Sequence, residues 1–458
     1  MRVPGIDKTL GIEVYGTETA GIGGVIRESV EDFRVEEVLV DGSVATIEKS
    51  AESKPLGASA HRQRYLLCVL VKRNWDTFMA VKNIAKQLGI SQTQVHFAGI
   101  KDAKAVTAQH IAIEDVSMEV AARISVRDIE VRPMGYFRDA LSPFYLLGNR
   151  FKIRIKAVKR AKATIEKRIA KTIEKLESKG GIPNFFGHQR FGSTRPVTHL
   201  VGKAILKGDF EEAAMLFLAQ PSPYEHPESI QARKELREKR DFKQALRDFP
   251  KQLRYERLML RHLAEEPSDC VGAFERLPVR LQELFVQAYQ SFLFNRFLSE
   301  RLRNGFPLNS AEVGDFVVSV ERSDLPMVRT GKIVDTKCLA EINGRIKAGR
   351  MRVALPLVGM KQKLSEGVVG QLEKKVLEEE DAESLSFRVD ALPRMSGKGQ
   401  LRAAASPVKD FNVHSISACA TGSRIHQVEL EFMLMRGSYA TMLLREVMKP
   451  PDPIAAGF

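Results

Sequence analysis

The sequence predicts an α+β protein in which one domain is interrupted by a second and resumed near the C-terminus. Three observations carry this reading. At 458 residues the chain is too long for one small core, and two domains are the natural division. Strand-like and helix-like segments mix without the regular rhythm of a doubly wound parallel sheet. Composition shifts near residue 200, and a clear strand–helix pair appears late, from Val428 to Val447.

Residues 1–60 are rich in glycine and charge, with a short strand-like patch around Phe33 and Val35. Gly21-Ile22-Gly23-Gly24 lacks the third glycine and the preceding strand of a dinucleotide fingerprint, and reads as a turn. Tyr65 to Val71 (YLLCVLV) is short and continuously apolar, the pattern of a buried strand. Asp76 or Thr77 then caps a helix with Phe78, Val81, Ile84, Ala85 and Leu88 on its apolar face and Gly89 as its stop. Phe151, Ile153 and Ile155 alternate with Lys152 and Arg154, giving a half-buried strand. A basic helix follows, with Ile165, Ile169, Ile173 and Leu176 at helical spacing and Gly180-Gly181 after it.

From Tyr224 to Phe249 the chain is highly charged and helical in pattern. Leu281 to Leu302 reads as a strongly amphipathic helix burying Leu284, Phe285, Ala288, Phe292 and Phe297. Residues 312–358 look strand-rich and 366–383 helical. Val428 to Leu434 (VELEFML) alternates as a strand and runs through Arg436-Gly437-Ser438 into a helix with Leu443, Leu444 and Val447. No internal repeat and no long low-complexity segment is present.

Composition limits the function classes. Charged residues make up 28% and hydrophobic residues 44%, as in folded soluble proteins. A net charge of +14 suits a polyanionic partner, of which nucleic acid is the commonest, although a basic protein with no such role fits the charge equally. Cys68, Cys270, Cys338 and Cys419 are far apart, which excludes a CxxC metal knuckle and argues against a disulfide framework. The N-terminus has no apolar signal-peptide core, and no run of 18 apolar residues occurs, so a soluble, cytoplasmic protein with no membrane association is expected. There is no GxxxxGK[ST] loop for a nucleotide, and the histidines form no HExxH or HxxxH pair. The expected chemistry needs side chains alone: no metal, no nucleotide cofactor.

Three segments remain. In Phe97–Gln109 (FAGIKDAKAVTAQ), Gly99 permits a tight backbone path and Asp102 lies between Lys101 and Lys104. Neighbouring cations keep a carboxylate ionised, as a nucleophile requires; taken alone, the segment suits a solvated surface turn better. In Pro183–Gly192 (PNFFGHQRFG), Phe185, Phe186 and Phe191 are interleaved with Asn184, Gln189 and Arg190, which fits base stacking with polar contacts and fits a glycine-punctuated core turn equally. In Arg436–Glu446 (RGSYATMLLRE), a strand feeds a helix N-terminus that offers backbone N–H groups to an anion, with Arg445 adding charge.

Together these segments resemble the TruD family of pseudouridine synthases. The first is similar to its motif GxKDxxxxTxQ, met by Gly99, Lys101, Asp102, Thr107 and Gln109. The second is similar to N[YF]FGxQRFG, and the third to GSxATxxxRE. Glu31–Glu36 resembles an EDFxVEE element, and Gln290–Asn295 (QSFLFN) a QSxLFN helix. Five matches in order, from about residue 27 to 446, are not a coincidence of composition.

The resemblance implies a pseudouridine synthase core of mixed or antiparallel sheet with flanking helices, contributed by 1–199 and 396–458, and an inserted α/β domain at 200–395. It implies conversion of uridine to pseudouridine in tRNA, at position 13 of the D-arm, with other structured RNAs as further substrates. Asp102 is then the nucleophile, and Arg27, Phe33, Lys101, Asn184, Phe186, Gln189, Arg190 and Arg445 bind substrate. Arg27, Lys101 and Arg445 are the candidate cations beside Asp102, with Arg27 standing where bacterial relatives lead one to expect lysine. Phe186 is expected to stack on the uracil, and Asn184 and Gln189 to make polar contacts. Two rival classes, a catalytically silent RNA-binding protein and a cofactor-dependent methyltransferase, are disfavoured by the intact Asp102 motif and the missing cofactor loop.

Overall fold

The computed structural model describes residues 2–49, 55–418 and 424–458; Cys419 and residues 50–54 of the charged segment 1–60 lie outside the described residues. The first strands are β1 (Phe33–Leu39), β2 (Tyr65–Arg73), β3 (Val95–Phe97), β4 (Val106–Glu114), β5 (Ile129–Phe137), β6 (Leu146–Val158) and the short β7 (Ile182–Pro183). Then come β8 (Phe316–Val320), β9 (Pro326–Ile333), β10 (Met351–Leu357) and β11 (Gln400–Ala403). The last are β12 (Ala405–Ser406), β13 (Val408–Ala418) and β14 (His426–Met435).

The main sheet has eight strands in the order β13-β14-β6-β1-β4-β2-β5, with β3 added along β4. Only β1 and β4 run parallel, so the sheet is mixed. The chain leaves this sheet after β6 and returns with β13 and β14, where Val428, Leu430 and Phe432 pair with Ile155, Ile153 and Phe151. That register brings the inward residues of two alternating strands face to face, and the Phe151 and Phe432 rings stack at 5.4 Å. β2, continuous and apolar, lies between β4 and β5 and is buried from Leu66 to Lys72. The four strands β11-β10-β8-β9 form a separate sheet, which reaches past residue 395 to Ala403.

Helix Thr77–Leu88 is capped as the sequence suggests: Asp76 accepts from the Phe78 and Met79 amides, and Gly89 closes it in the left-handed region. Phe78 is a correction. It is 38% exposed, because it lies at the overhanging first turn, where Arg280 covers its ring at 4.9 Å. Helix Val279–Arg303 is a second correction: it is not amphipathic but buried all round from Ala288 to Asn295. Helices Thr198–Leu206 and Gly367–Glu379 and strand β10 pack around the helix, so that stretch has no face left for water, whereas Val279, Arg280 and Gln287 before it are exposed. Among the described residues, no helix is long and apolar enough to cross a membrane.

Candidate active site

The loop between β3 and β4 carries Asp102, and its backbone is pinned at four points. Gln109 Nε2 donates to Gly99 O at 3.0 Å, and the Lys101 amide donates to Thr77 Oγ1 at 3.1 Å. Lys72 Nζ donates to Asp102 O at 2.8 Å and to Lys101 O at 3.4 Å. Its third bond, to Trp75 O at 2.7 Å, ties the loop to the entry of helix Thr77–Leu88. Burial pushes the Lys72 ammonium down to about 8. Gly99 packs closely here: a Cβ there would come 3.1 Å from Leu146 Cδ2, whose side chain would have to shift by a few tenths of an ångström.

Two groups from distant segments converge on one oxygen of Asp102. Arg27 Nη2 lies 3.1 Å from Oδ1, and Gln189 Nε2 donates to the same atom at 3.0 Å. Arg27 is fixed in turn: its guanidinium carbon sits 3.9 Å from the Phe33 ring centroid, and Nη1 donates to Gly457 O at 3.1 Å. Its backbone is left-handed at φ 59°, a conformation unfavourable for an arginine that the surrounding contacts sustain. Asp102 remains 29% exposed at a cavity of about 270 Å³. Asn149, Tyr439 and the first residues of helix Ala440–Met448 form part of its wall. That helix start has no side-chain cap, and its first residues Ala440 and Thr441 line the cavity.

Lys101 lines the cavity, but its ammonium turns away from Asp102. It lies 2.7 Å from Glu37 Oε1 and donates to Asn149 Oδ1 at 2.8 Å. Glu37 is wholly buried and also accepts from the His110 amide at 2.8 Å. Burial would raise its carboxyl, but Lys101 and His110 outweigh that and hold it down to about 2. Arg445 does not reach Asp102. It is buried against Asp7, Nε to Oδ2 2.6 Å, because residues 5–8 fold beneath the last helix.

The PNFFGHQRFG segment divides its work. Gln189 meets Asp102, whereas Asn184 Oδ1 accepts from Arg402 Nη2 at 2.7 Å and its Nδ2 donates to Ala403 O at 3.0 Å. Phe186, expected to stack on a base, is buried with the Arg402 guanidinium 4.0 Å from its ring centroid; it does not line the cavity. Arg190 points toward helix Val279–Arg303, donating to Ser291 Oγ and Gln287 Oε1, each at 3.2 Å. The QSFLFN stretch explains itself here: Asn295 Oδ1 accepts from the Phe186 amide at 2.8 Å, and its Nδ2 donates to Phe186 O at 3.1 Å.

Lys72, Glu37, Arg402 and Tyr439 escape sequence reasoning. Glu37 leaves a signal as the carboxylate on the buried face that Phe33 and Val35 mark on β1, and Tyr439 lies within the RGSYATMLLRE segment without being marked out in it. Lys72 ends a run of apolar residues, and Arg402 lies in a stretch without a motif.

Comparison with known proteins assigns the chain to a family. The family model described as tRNA pseudouridine synthase D (TruD) matches residues 9–447. A Methanosarcina acetivorans protein named "Probable tRNA pseudouridine synthase D" is 40% identical over 99% of both chains. A Pyrococcus abyssi protein of the same name is 39% identical over 95% of this chain and 98% of its own. The crystal structure of a Methanosarcina mazei protein described as "Putative tRNA pseudouridine synthase D (TruD)" superposes with a TM-score of 0.81 at 36% identity, covering 98% of this chain and 99% of that one. The chain belongs to the TruD family of tRNA pseudouridine synthases.

Proposed function

We propose that this protein isomerises uridine 13 of tRNA in the cytoplasm, with Asp102 as the covalent nucleophile. The observation that carries this is the convergence of Arg27 and Gln189 on Oδ1 of Asp102 at the mouth of a cavity sized for one flipped nucleotide. The carboxylate is oriented by two donors while Oδ2, among the described residues, has no hydrogen-bond donor, and an oriented carboxylate with a free oxygen is what nucleophilic attack needs.

In the reaction the C1′–N1 bond of uridine breaks, the uracil turns, and C5 bonds to C1′. The C5 proton is lost and N1 gains one, so atoms and electrons balance within the nucleoside. Arg27 offsets the charge that Asp102 carries before attack and regains on release. Tyr439, half-buried in the cavity wall, is the ring placed to meet the uracil in the role the sequence suggested for Phe186. The uncapped start of helix Ala440–Met448 suits a flanking phosphate. The insertion at 200–395 and the charge excess grip the rest of the tRNA, which makes binding salt-sensitive.

The test is position mapping on an unmodified tRNA transcript. One new pseudouridine at position 13 is expected. Modification at a different uridine would move the substrate assignment, and none at all would remove it.

A further inference from the structure

Two large apolar side chains stand in water, one in the catalytic cavity and one on a turn joined to its wall. Ile100, two residues before Asp102, is 57% exposed and lines the cavity. Phe144 is 74% exposed, more than any other large hydrophobic residue among those described. A single exposed apolar residue is ordinary in itself. What sets Phe144 apart is how firmly it is held there.

The turn at 142–145 is braced on both sides. The Val40 amide donates to Tyr145 O and the Tyr145 amide to Ser142 O, each at 3.0 Å. Arg436 Nη1 donates to Pro143 O at 2.6 Å and to Phe144 O at 3.4 Å, and Arg436 is itself part of the cavity wall. The Tyr145 ring packs edge-on against Phe137 at 5.8 Å. Two residues beyond Phe144, Leu146 lines the cavity and lies on the catalytic loop at Gly99. The chain thus uses several bonds to hold an unburied phenyl ring on a turn joined to Arg436 and Leu146 of the cavity wall.

We propose that Phe144 is a wedge that enters the RNA stack as the target uridine leaves it, with Ile100 widening the apolar rim. Extruding a base exposes the faces of its two neighbours to water, and a flat apolar ring in the gap restores part of the lost stacking. Because the turn is already fixed, little ordering entropy opposes the insertion. This rests on the reading that the substrate is a uridine drawn out of an RNA stack.

The experiment uses two synthetic RNAs with the same target uridine, one with natural flanking bases and one with both flanking nucleotides abasic. Without neighbours there is no gap to fill. Phe144→Ala should lower kcat/KM on the natural RNA about tenfold or more, remain close to wild type on the abasic one, and keep an unchanged Tm. Phe144→Leu should fall between them. A Phe144→Ala defect of equal size on both RNAs, or on neither, overturns the wedge and leaves the enzymatic reading standing. No pseudouridine from the wild type on either RNA removes both.

Discussion

Gln189 Nε2 donates to Asp102 Oδ1 at 3.0 Å, joining a loop from the middle of the chain to the carboxylate between β3 and β4. The bond falls on the same oxygen that Arg27 holds. The two donors orient the carboxylate without covering it, so each should matter more to turnover than to RNA affinity. Gln189→Leu is expected to lower kcat about tenfold with KM little changed, through lost orientation. Gln189→Glu should be worse, since it puts a like charge beside Asp102. Steady-state kinetics on a tRNA transcript checks both; a change confined to KM would contradict the orienting role.

Arg27 uses its fork, with one nitrogen on Asp102, another on Gly457 O, and its flat face on Phe33. A lysine keeps the charge and loses the second bond and the face-on packing. Arg27→Lys should therefore retain about a tenth of wild-type kcat, and Arg27→Met far less. Equal activities for the two variants would show that charge is not what Arg27 supplies.

Lys72 separates activity from stability in alkaline solution. Its ammonium titrates at about 8 in the folded chain, below its ordinary 10.5, because it is buried. Above pH 8 it loses one of the three protons directed at the carbonyls of Trp75, Lys101 and Asp102, so the catalytic loop loosens and kcat should fall. Stability goes the other way. Between pH 8 and 10.5 the unfolded chain binds more protons at this site, and this group's contribution rises with pH. Lys72→Met should flatten the alkaline limb of the rate profile and lower its plateau; an unaltered limb would assign it to another group.

The Glu37–Lys101 pair is structural support beneath the loop. Glu37→Gln leaves the Lys101 ammonium buried beside a neutral amide and should cost about 3–5 kcal/mol in urea unfolding. The carboxyl is depressed from its ordinary 4.5 to about 2. Its contribution is therefore complete above pH 4.5 and is lost as pH falls through 2. A Glu37→Gln variant as stable as wild type at pH 7 would contradict the pairing.

Much of this was legible in the sequence. Alternation identified β6 and β14, and an apolar run identified β2, since strand period and burial leave direct marks. Asp102, Arg27 and Gln189, drawn from three segments, do meet. Lys101 shows the limit: adjacency in sequence placed it beside Asp102, yet the loop's backbone path sends its ammonium to Glu37 on β1. Arg445 was a free cation in the sequence and is spoken for in the fold, because Asp7 comes under it from the other end of the chain. Phe186 looked like a stacking platform until Arg402, some two hundred positions away, covered its face. Local pattern reports which residues are buried; long-range pairing decides which of them face a cavity.

The central claim is that Asp102 is the nucleophile, and one comparison tests it most directly. Wild type and Asp102→Asn are incubated with the same unmodified tRNA transcript, pseudouridine is mapped by carbodiimide primer extension, and tRNA affinity is measured in parallel. The amide is isosteric but cannot attack, so wild type should yield one pseudouridine and Asp102→Asn none, with both binding tRNA alike. Pseudouridine formed by Asp102→Asn at a rate near wild type would contradict the account.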